Sequence, residues 1–340
     1  MKTNKKLRLA LVGTDSLRGN EIKNVLEQKK FPLKDIEFFD PDVAEEYSKL
    51  TQSRGEPKVV HHLDRNSLQG MDLVFLAADK KANREYGLLA RDQNFIAIDL
   101  SETFNDEEDI PLVVAGVNDD VLAQKKQVLI ANPHPVAIIL TNILNLVLQK
   151  YGILKAIAFV LQPVSAFDKS GIEELASQST ALLGGTSLSK KVFKEQIAFN
   201  LLSHTEKPGS HGFSTAEKQV VAEIKRVLGR PNFPLSLSVI QAPVFHTYSI
   251  MTYLELEKET DIPGLGSLLK GSPLIELCAS SASCSVSSVS VAGKEKIFIG
   301  QVKKEEAFPH SFWIWLVADN LTRGSALNAF EIARVLVTSF

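Results

Sequence analysis

Residues 7–30, LRLALVGTDSLRGNEIKNVLEQKK, give the strongest indication of the fold class. Its apolar beginning predicts a buried strand, its middle a loop with Gly13 and Gly19, and its end an amphipathic helix. Backbone N–H groups of such a loop and of the helix N-terminus can hold a pyrophosphate. The unit therefore indicates a dinucleotide-binding domain, with an ordinary tight turn as the simpler interpretation.

The rest of the first half of the chain alternates between predicted strands and helices. One helix is predicted over residues 80–94. Apolar strands are predicted at IEFFD, KVVHHL, MDLVFLAAD, FIAIDLS, LVVAGV and QVLIAN. This alternation predicts an α/β fold with a Rossmann-type, doubly wound and mostly parallel sheet that carries helices on both faces.

The pattern changes after an apolar helix at residues 136–151. Long extended segments are predicted at residues 153–167, 234–257, 295–304 and 311–320, and helices at residues 170–184 and 214–229. They predict an α+β domain with a mixed sheet, and a final helix at residues 321–340 is expected to pack on the first domain. We therefore expect a Rossmann-type domain of residues 1–133 with 320–340 and a second domain of residues 134–319.

Composition is that of an ordinary globular protein. The chain has 340 residues, 44% of them hydrophobic and 23% charged, and its formal net charge is −2. This balance gives no reason to expect nucleic acid or an anionic membrane as a partner, and no apolar run reaches the ~18 residues of a membrane span. The two cysteines, Cys278 and Cys284, are too few for a disulfide framework or a structural zinc site, so a reducing cytoplasm is expected.

Two aspartates bear on the choice of cofactor. Asp40 ends the second predicted strand, where a carboxylate can accept hydrogen bonds from a ribose 2′-OH, which favours NAD over NADP. The alternative is a turn aspartate, because FDPD is also a good turn sequence. Asp15 lies inside the glycine loop, where a carboxylate opposes an anionic ligand unless it points away.

Several long stretches carry a resemblance that covers nearly the whole chain. They are FLAAD, PLVVAGVN, IANPHP, LQPVSAFDKSGIEEL, QIAFNLLSH, APVFHTYS and VADNLTRGSALNAFEIA. In this order they resemble the aspartate-semialdehyde dehydrogenase family. The resemblance implies a Rossmann domain, a dimerisation and catalytic domain, and a homodimer or larger oligomer. It implies cofactor-binding positions at Gly13, Ser16, Leu17, Asp40, Ala77, Ser165 and Asn320.

Proline occupies the position of the family's nucleophile. The family reduces an aspartyl phosphate with NADPH through a thioester on a helix-starting cysteine, in an asparagine-proline-asparagine-cysteine motif. That motif aligns with residues 132–135, and its cysteine aligns with Pro135. A thioester needs a thiolate, whereas proline suits the first turn of a helix. The resemblance therefore implies that the strand-to-helix corner at residues 132–135 is retained and that its nucleophile is lost.

The family's other functional positions are also changed. The resemblance places its substrate-binding arginine, acid–base histidine, phosphate-binding arginine and glutamate-x-x-lysine pair at Gln241, Tyr248, Asn105, Ala216 and Gln219. Glu217 is adjacent to the pair, so the alignment can shift by one residue. Only the active-site glutamine is retained, as Gln162. Three lost cations lower substrate affinity strongly, because each charge-assisted pair contributes roughly 1.5–3 kcal/mol.

Acids replace neutral residues near the expected cofactor position, at Asp15, Asp79 and Asp168. The family's serine-glycine-alanine-glycine loop becomes SAFD, so Phe167 and Asp168 are expected to crowd the nicotinamide pocket. The stretch FFDPDVAEEY contains no arginine to hold a 2′-phosphate. We expect weak NAD binding at most, no NADP binding in the family manner, and no metal.

Three histidine and tyrosine side chains are candidates for rebuilding acid–base chemistry. His134 precedes the nucleophile position and is either a base or a capping or surface histidine. His246 and Tyr248 are two residues apart on one predicted strand and are expected on one face. The alternative is that they are ordinary strand residues, and no replacement catalytic triad is evident.

Three functions remain open at this point. The first is a cytoplasmic homodimer that does not perform the family reaction and that binds a partner or ligand, or forms a heteromer with an active paralogue. The aromatic strand SFWIW is then expected to form an interface. The alternative is that its tryptophans fill a core face. The second is an NAD-dependent oxidoreductase without a covalent intermediate, favoured by Asp40 and Gln162. The third is residual semialdehyde dehydrogenase activity in aspartate-family amino-acid biosynthesis, rescued by Cys278 or Cys284.

Overall fold

The computed structural model describes residues 6–29, 31–44, 49–123, 128–203, 206–278 and 285–338. The chain divides into two compact units. The first comprises residues 1–134 and 325–340, and the second comprises residues 135–324.

A mostly parallel sheet forms the centre of the first unit. Within the described residues its seven strands are β1 (Leu7–Val12), β2 (Leu33–Asp40), β3 (Lys49–Ser53), β4 (Glu56–His62), β5 (Leu73–Leu76), β6 (Ile96–Asp99) and β7 (Leu129–Ala131). Their order is β3-β4-β2-β1-β5-β6-β7, and the β3–β4 pair is antiparallel. The sheet confirms the predicted Rossmann-type fold class, while β3 was not predicted.

A mixed sheet forms the centre of the second unit. Its six strands in the described part of the chain are β8 (Lys155–Gln162), β9 (Leu235–Gln241), β10 (Tyr248–Glu255), β11 (Ile275–Leu277), β12 (Ile297–Lys304) and β13 (Ser311–Ala318). They lie in the order β11-β12-β13-β10-β8-β9. The β8–β9 and β11–β12 pairs are parallel and the others antiparallel, which confirms the predicted mixed sheet.

Helices cover both sheets. Those of the first unit are α1 (Leu17–Gln28), α2 (Lys80–Gly87), α3 (Ala90–Gln93), α4 (Asp120–Ala123) and α10 (Leu327–Thr338). Those of the second unit are α5 (Pro135–Tyr151), α6 (Asp168–Gly184), α7 (Thr215–Val227), α8 (Ile262–Lys270) and α9 (Ser288–Val291). A 3₁₀ turn, Val164–Phe167, precedes α6, and a π-helical turn, Thr322–Ala326, precedes α10.

Each unit has its own apolar core, because alternate strand residues face the helices. In the first unit Leu9, Leu11 and Phe75 of the sheet pack with Ile22 of α1 and Phe330 of α10. The final helix therefore contributes to the core of the first unit. In the second unit the core contains the apolar face of α5 together with residues of α7, α8 and the mixed sheet.

Close backbone approach explains the two glycines of the first loop. A Cβ on Gly13 would lie 2.3 Å from the amide nitrogen of Ala78, and φ at Gly13 is +85°. A Cβ on Gly19 would lie 2.0 Å from the carbonyl oxygen of Gly13. Only glycine lets the loop after β1 pass this close to the loop after β5 and to the start of α1.

Two predicted elements are wrong. The segment LVVAGV, residues 112–117, is no strand and forms only an isolated bridge between Leu112 and Ala131. Residues 112–115 of this segment are buried, and side chains satisfy part of their backbone. The side chain of Asn118 accepts a hydrogen bond from the amide of Val114, and that of Asn328 accepts one from the amide of Ala115. The helix predicted at residues 80–94 is broken into α2 and α3.

Cys278 also differs from expectation, because this buried cysteine is disulfide-bonded. The expectation of a reduced thiol is therefore wrong for Cys278. Cys284 lies outside the described residues.

No helix in the described ranges is long and apolar enough to cross a membrane.

Asp168 adopts a backbone conformation that is essentially restricted to glycine. At the end of the 3₁₀ turn its φ is +56° and its ψ is −154°. The family resemblance implies a glycine at this position of the segment SAFD. A non-glycine residue in this region stores about 1–3 kcal/mol of strain.

We expect Asp168→Gly to raise the free energy of unfolding by about 1 kcal/mol, since relief of strain exceeds the added flexibility of the unfolded chain. Urea unfolding measures this difference. Asp168→Ala is the matched control, because it removes the carboxylate and keeps the strain. A glycine variant no more stable than the alanine variant would contradict the assignment.

Candidate functional site

The glycine loop of the first unit satisfies its own helix N-terminus. The hydroxyl of Ser16 accepts a hydrogen bond from the amide of Gly19 at 2.9 Å and donates to the carbonyl oxygen of Ala77 at 2.7 Å. Ser16 is the N-cap of α1, which begins at Leu17. The predicted cofactor positions of this loop therefore lie together, but the Ser16 hydroxyl takes a helix-end donor that a bound phosphate would otherwise use.

Asp40 lies at the end of β2, beside the glycine loop. Its carboxylate accepts from the hydroxyl of Thr14 at 3.5 Å and from the amide of Asp42 at 3.3 Å. Burial raises the pKa of Asp40, although the Asp42 bond and the charge of Lys49 lower it in part. The carboxylate is positioned where a ribose hydroxyl would be bound in a Rossmann fold.

The other two acids of this region have local partners. Asp15 is exposed and forms an ion pair with Lys49 of β3, which raises the pKa of Lys49. Asp79 is the N-cap of α2 and accepts from the amides of Lys81 and Ala82. Neither carboxylate is left facing the glycine loop without compensation.

Asp99 organises the loop after β6 and was not identified from the sequence. Its fully buried carboxylate accepts from Asn83 Nδ2 at 3.0 Å, Ser101 N at 3.1 Å and Thr103 N at 2.6 Å. Burial raises the pKa of Asp99, and these bonds lower it in part. A strand-ending aspartate followed by serine and threonine is a turn signal that could have revealed it. Asn105, a predicted substrate position, is buried in the same loop.

Gln162, Gln241 and Tyr248 form one amide network in the second unit. Gln162 and Gln241 are paired residues of β8 and β9. Gln162 Nε2 donates to Gln241 Oε1 at 3.1 Å, and Gln241 Nε2 donates to the carbonyl oxygens of Gln162 at 2.9 Å and Ala242 at 3.1 Å. The Tyr248 hydroxyl donates to Gln162 Oε1 at 3.4 Å. Gln241 and Tyr248 are each only 1% exposed.

Ser165 and Asn320, two predicted cofactor positions, also bond to each other. Asn320 Oδ1 accepts from the Ser165 hydroxyl at 3.2 Å and from the amide of Thr247 at 3.0 Å. Thr247 is buried with φ +75°, which is a rare conformation for a β-branched residue. All three residues are nearly or wholly shielded from solvent.

His246 and Tyr248 do not share a strand face. The strand β10 begins at Tyr248, and His246 precedes it in a turn that contains the left-handed Thr247. The prediction of one shared face is therefore wrong, because the alternation of side chains holds only within extended backbone.

Pro135 begins α5 and is buried. A Cβ on Gly324 would lie 2.9 Å from the Pro135 Cβ, so the proline ring is packed closely against this backbone. The preceding corner is fixed as well, because Asn132 Oδ1 accepts from Asn328 Nδ2 at 2.8 Å. The corner is thus a packed structural element with an apolar ring at the helix start.

Glu217 and Gln219, two of the candidate residues on α7, lie in different surroundings. Glu217 closes a capping box with Ser214, and its other oxygen accepts from the amide of Val239 at 2.8 Å. Gln219 is half-buried on the same helix. Glu217 is therefore structural. In the segment SAFD, Phe167 packs edge-to-face on Phe193 at 5.0 Å.

No group of three histidine, cysteine, aspartate or glutamate side chains that could hold a metal ion occurs within the described ranges. The polar side chains at the candidate positions are amides, hydroxyls, carboxylates and imidazoles. They can donate and accept hydrogen bonds, but Pro135 offers no group that forms a covalent intermediate.

Two family profiles match the chain. Residues 144–323 match "Semialdehyde dehydrogenase, dimerisation domain", and residues 8–125 match "Semialdehyde dehydrogenase, NAD binding domain". The aspartate-semialdehyde dehydrogenase of Aquifex aeolicus is 29% identical over 334 residues, which are 97% of this chain and 98% of the relative. That of Shewanella violacea is 26% identical over 98% of both chains.

Solved structures show the same likeness. The crystal structure of aspartate semialdehyde dehydrogenase II of Vibrio cholerae, complexed with ASA, superimposes with a TM-score of 0.93 at 25% identity over 99% of both chains. A probable aspartate-semialdehyde dehydrogenase from Pseudomonas aeruginosa gives a TM-score of 0.91 at 28% identity, over 98% of this chain and 99% of that one.

We expect Gln241→Leu to lower the free energy of unfolding by about 1–3 kcal/mol, because it leaves Gln162 Nε2 and a buried carbonyl oxygen without partners. Chemical denaturation measures the change. Gln301→Leu, on the exposed side of β12, is the control. Equal stability of the two variants would show that the network does not stabilise the fold.

Proposed function

The chain belongs to the semialdehyde dehydrogenase family, and from this premise we propose that it is a homodimer with a binding or regulatory role that does not perform the family's thioester reaction. The observation that carries the proposal is Pro135 at the start of α5. A thioester forms only on a thiolate, and the ring of Pro135 is buried against Gly324.

The amide network supports the same proposal. Gln241 and Tyr248 stand where the family resemblance places an arginine and a histidine, and both are engaged with Gln162. A substrate carboxylate would have to break these buried bonds and would gain no charge-assisted pair in return. Rescue by Cys278 is disfavoured as well, because a disulfide-bonded sulfur is no nucleophile.

The sheet of the second unit supports homodimer formation. Met251 of β10 pairs with Phe159 of β8 and with Trp315 of β13, on the face opposite the core residues Ile250 and Ile314. Phe159 is 46% exposed, and Met251 and Trp315 are half-buried. An apolar, aromatic sheet face within a dimerisation domain is suited to pair with a second copy. A heteromer with an active paralogue would use the same face.

A second candidate is an NAD-dependent oxidoreductase without a covalent intermediate. Asp40 favours it, because its carboxylate lies beside Thr14 of the glycine loop, where it can bind a ribose. Ser16 opposes it, because its hydroxyl already caps α1. We propose weak NAD binding and no NADP binding for the chain.

Activity measurements with the phosphorylated substrate and NADPH test the proposal. We expect no turnover by the wild type above a control without protein, with an active relative assayed in parallel. Pro135→Cys is expected to remain at least ~10³-fold slower than that relative, because the substrate-binding arginine is still missing. Conversion by the wild type at the relative's rate would contradict the proposal.

The dimer is tested by light scattering at micromolar concentration. We expect twice the chain mass for the wild type and the chain mass for Phe159→Lys, because a buried unpaired ammonium disfavours an apolar interface. Leu88→Lys, at an exposed position of the first unit, should remain dimeric. A monomeric wild type would refute the dimer.

A further inference from the structure

Four adjacent strands of the first sheet are each followed, within a few residues, by a charged or titratable side chain. Arg18 follows β1, Lys80 follows β5, Glu102 follows β6 and His134 follows β7. These strands are parallel neighbours, so their carboxyl ends meet at one edge. Ligands of open α/β sheets bind at this edge.

Glu102 is the single carboxylate in this group. Its Oε1 lies 2.9 Å from Arg18 Nη2, and the two side chains are only 16% and 27% exposed. His134 and Lys80 act on it electrostatically. The carboxylate of Glu102 is therefore paired with Arg18 and lies within electrostatic reach of Lys80 and His134.

The same neighbours shift the pKa values of Glu102 and His134. Burial would raise the pKa of Glu102, but His134, Arg18 and Lys80 together lower it below its ordinary value. Burial, Arg18 and Lys80 lower the pKa of His134, while Glu102 raises it in part. At neutral pH Glu102 is thus ionised.

The backbone of Glu102 is strained. Its φ is +61°, a left-handed conformation that glycine and asparagine tolerate far better than glutamate. The neighbouring residues of the loop are fixed by Asp99, which accepts from the amides of Ser101 and Thr103. The loop thus holds the carboxylate toward Arg18 despite this backbone cost.

We propose that Arg18, Lys80 and His134 form a binding site for a small oxyanion, such as a phosphate group, and that Glu102 is a tethered anion that occupies it. An external oxyanion binds only in competition with Glu102. The geometry thus makes Glu102 an internal competitor that keeps ligand affinity low. The proposal does not rest on the loss of the thioester reaction, since anion binding involves no turnover.

Calorimetric titration with inorganic phosphate, at constant ionic strength to fix the screening, compares the wild type with Glu102→Gln. We expect at least ~10-fold tighter binding by the variant, because a like charge close to the anion is removed. Adding Arg18→Gln to this variant should abolish the gain. Glu102→Asn should show the same gain in phosphate affinity. Asparagine tolerates the left-handed backbone conformation, so this variant controls for misfolding of Glu102→Gln.

Glu107→Gln is the matched control. Glu107 forms a similar ion pair with Arg84, also at 2.9 Å, in the same loop region, and its removal should create no phosphate site. NMR titration gives an independent readout: the pKa of His134 should fall in Glu102→Gln and rise again with phosphate. Folded Glu102 variants that bind phosphate no more tightly than the wild type or Glu107→Gln would overturn the proposal.

Discussion

The rest of this structure depends on one constraint, that polar groups shielded from water must find hydrogen-bond partners. At the positions where the family resemblance expects ligands to be held, those partners belong to the chain itself. Gln241 bonds to Gln162 and to backbone carbonyl oxygens, and Asn320 bonds to Ser165. In the first unit Ser16 caps α1. A ligand that enters these positions has to displace an existing bond before it can make its own.

The backbone differs less from the family pattern than the side chains do. Asp168 has a backbone conformation suited to glycine, the residue that the family resemblance implies at this position. Glu102 and Thr247 likewise occupy left-handed positions that cost free energy for their residue types. Tertiary contacts fix these loops, as the hydrogen bonds of Asp99 to the amides of Ser101 and Thr103 do beside Glu102. Solved structures of 25% and 28% identity match this chain with TM-scores of 0.93 and 0.91, so the backbone is similar where the side chains differ.

The sequence predicts the fold better than the contacts of the site. Period-two and period-3.6 patterns locate β1, α1 and most later elements because burial on one face imposes them. The strand prediction for the apolar segment LVVAGV is wrong because side chains of Asn118 and Asn328 accept hydrogen bonds from its backbone amides. Asn328 is distant in sequence, so no local pattern indicates this contact. Site positions such as Gln162 and Gln241 follow from resemblance. Their bond to each other depends on the register of β8 against β9, which no local pattern specifies.

We infer that groups of this chain itself form the hydrogen bonds and the ion pair at the positions where a dinucleotide would otherwise be held. Calorimetric titration of the wild-type protein with NAD, and separately with NADP, tests it most directly. We expect dissociation constants of about 1 mM or weaker for NAD, because Ser16 already accepts a hydrogen bond from the Gly19 amide and Glu102 is already paired with Arg18. We expect no measurable binding of NADP. Micromolar binding of either cofactor would contradict this inference.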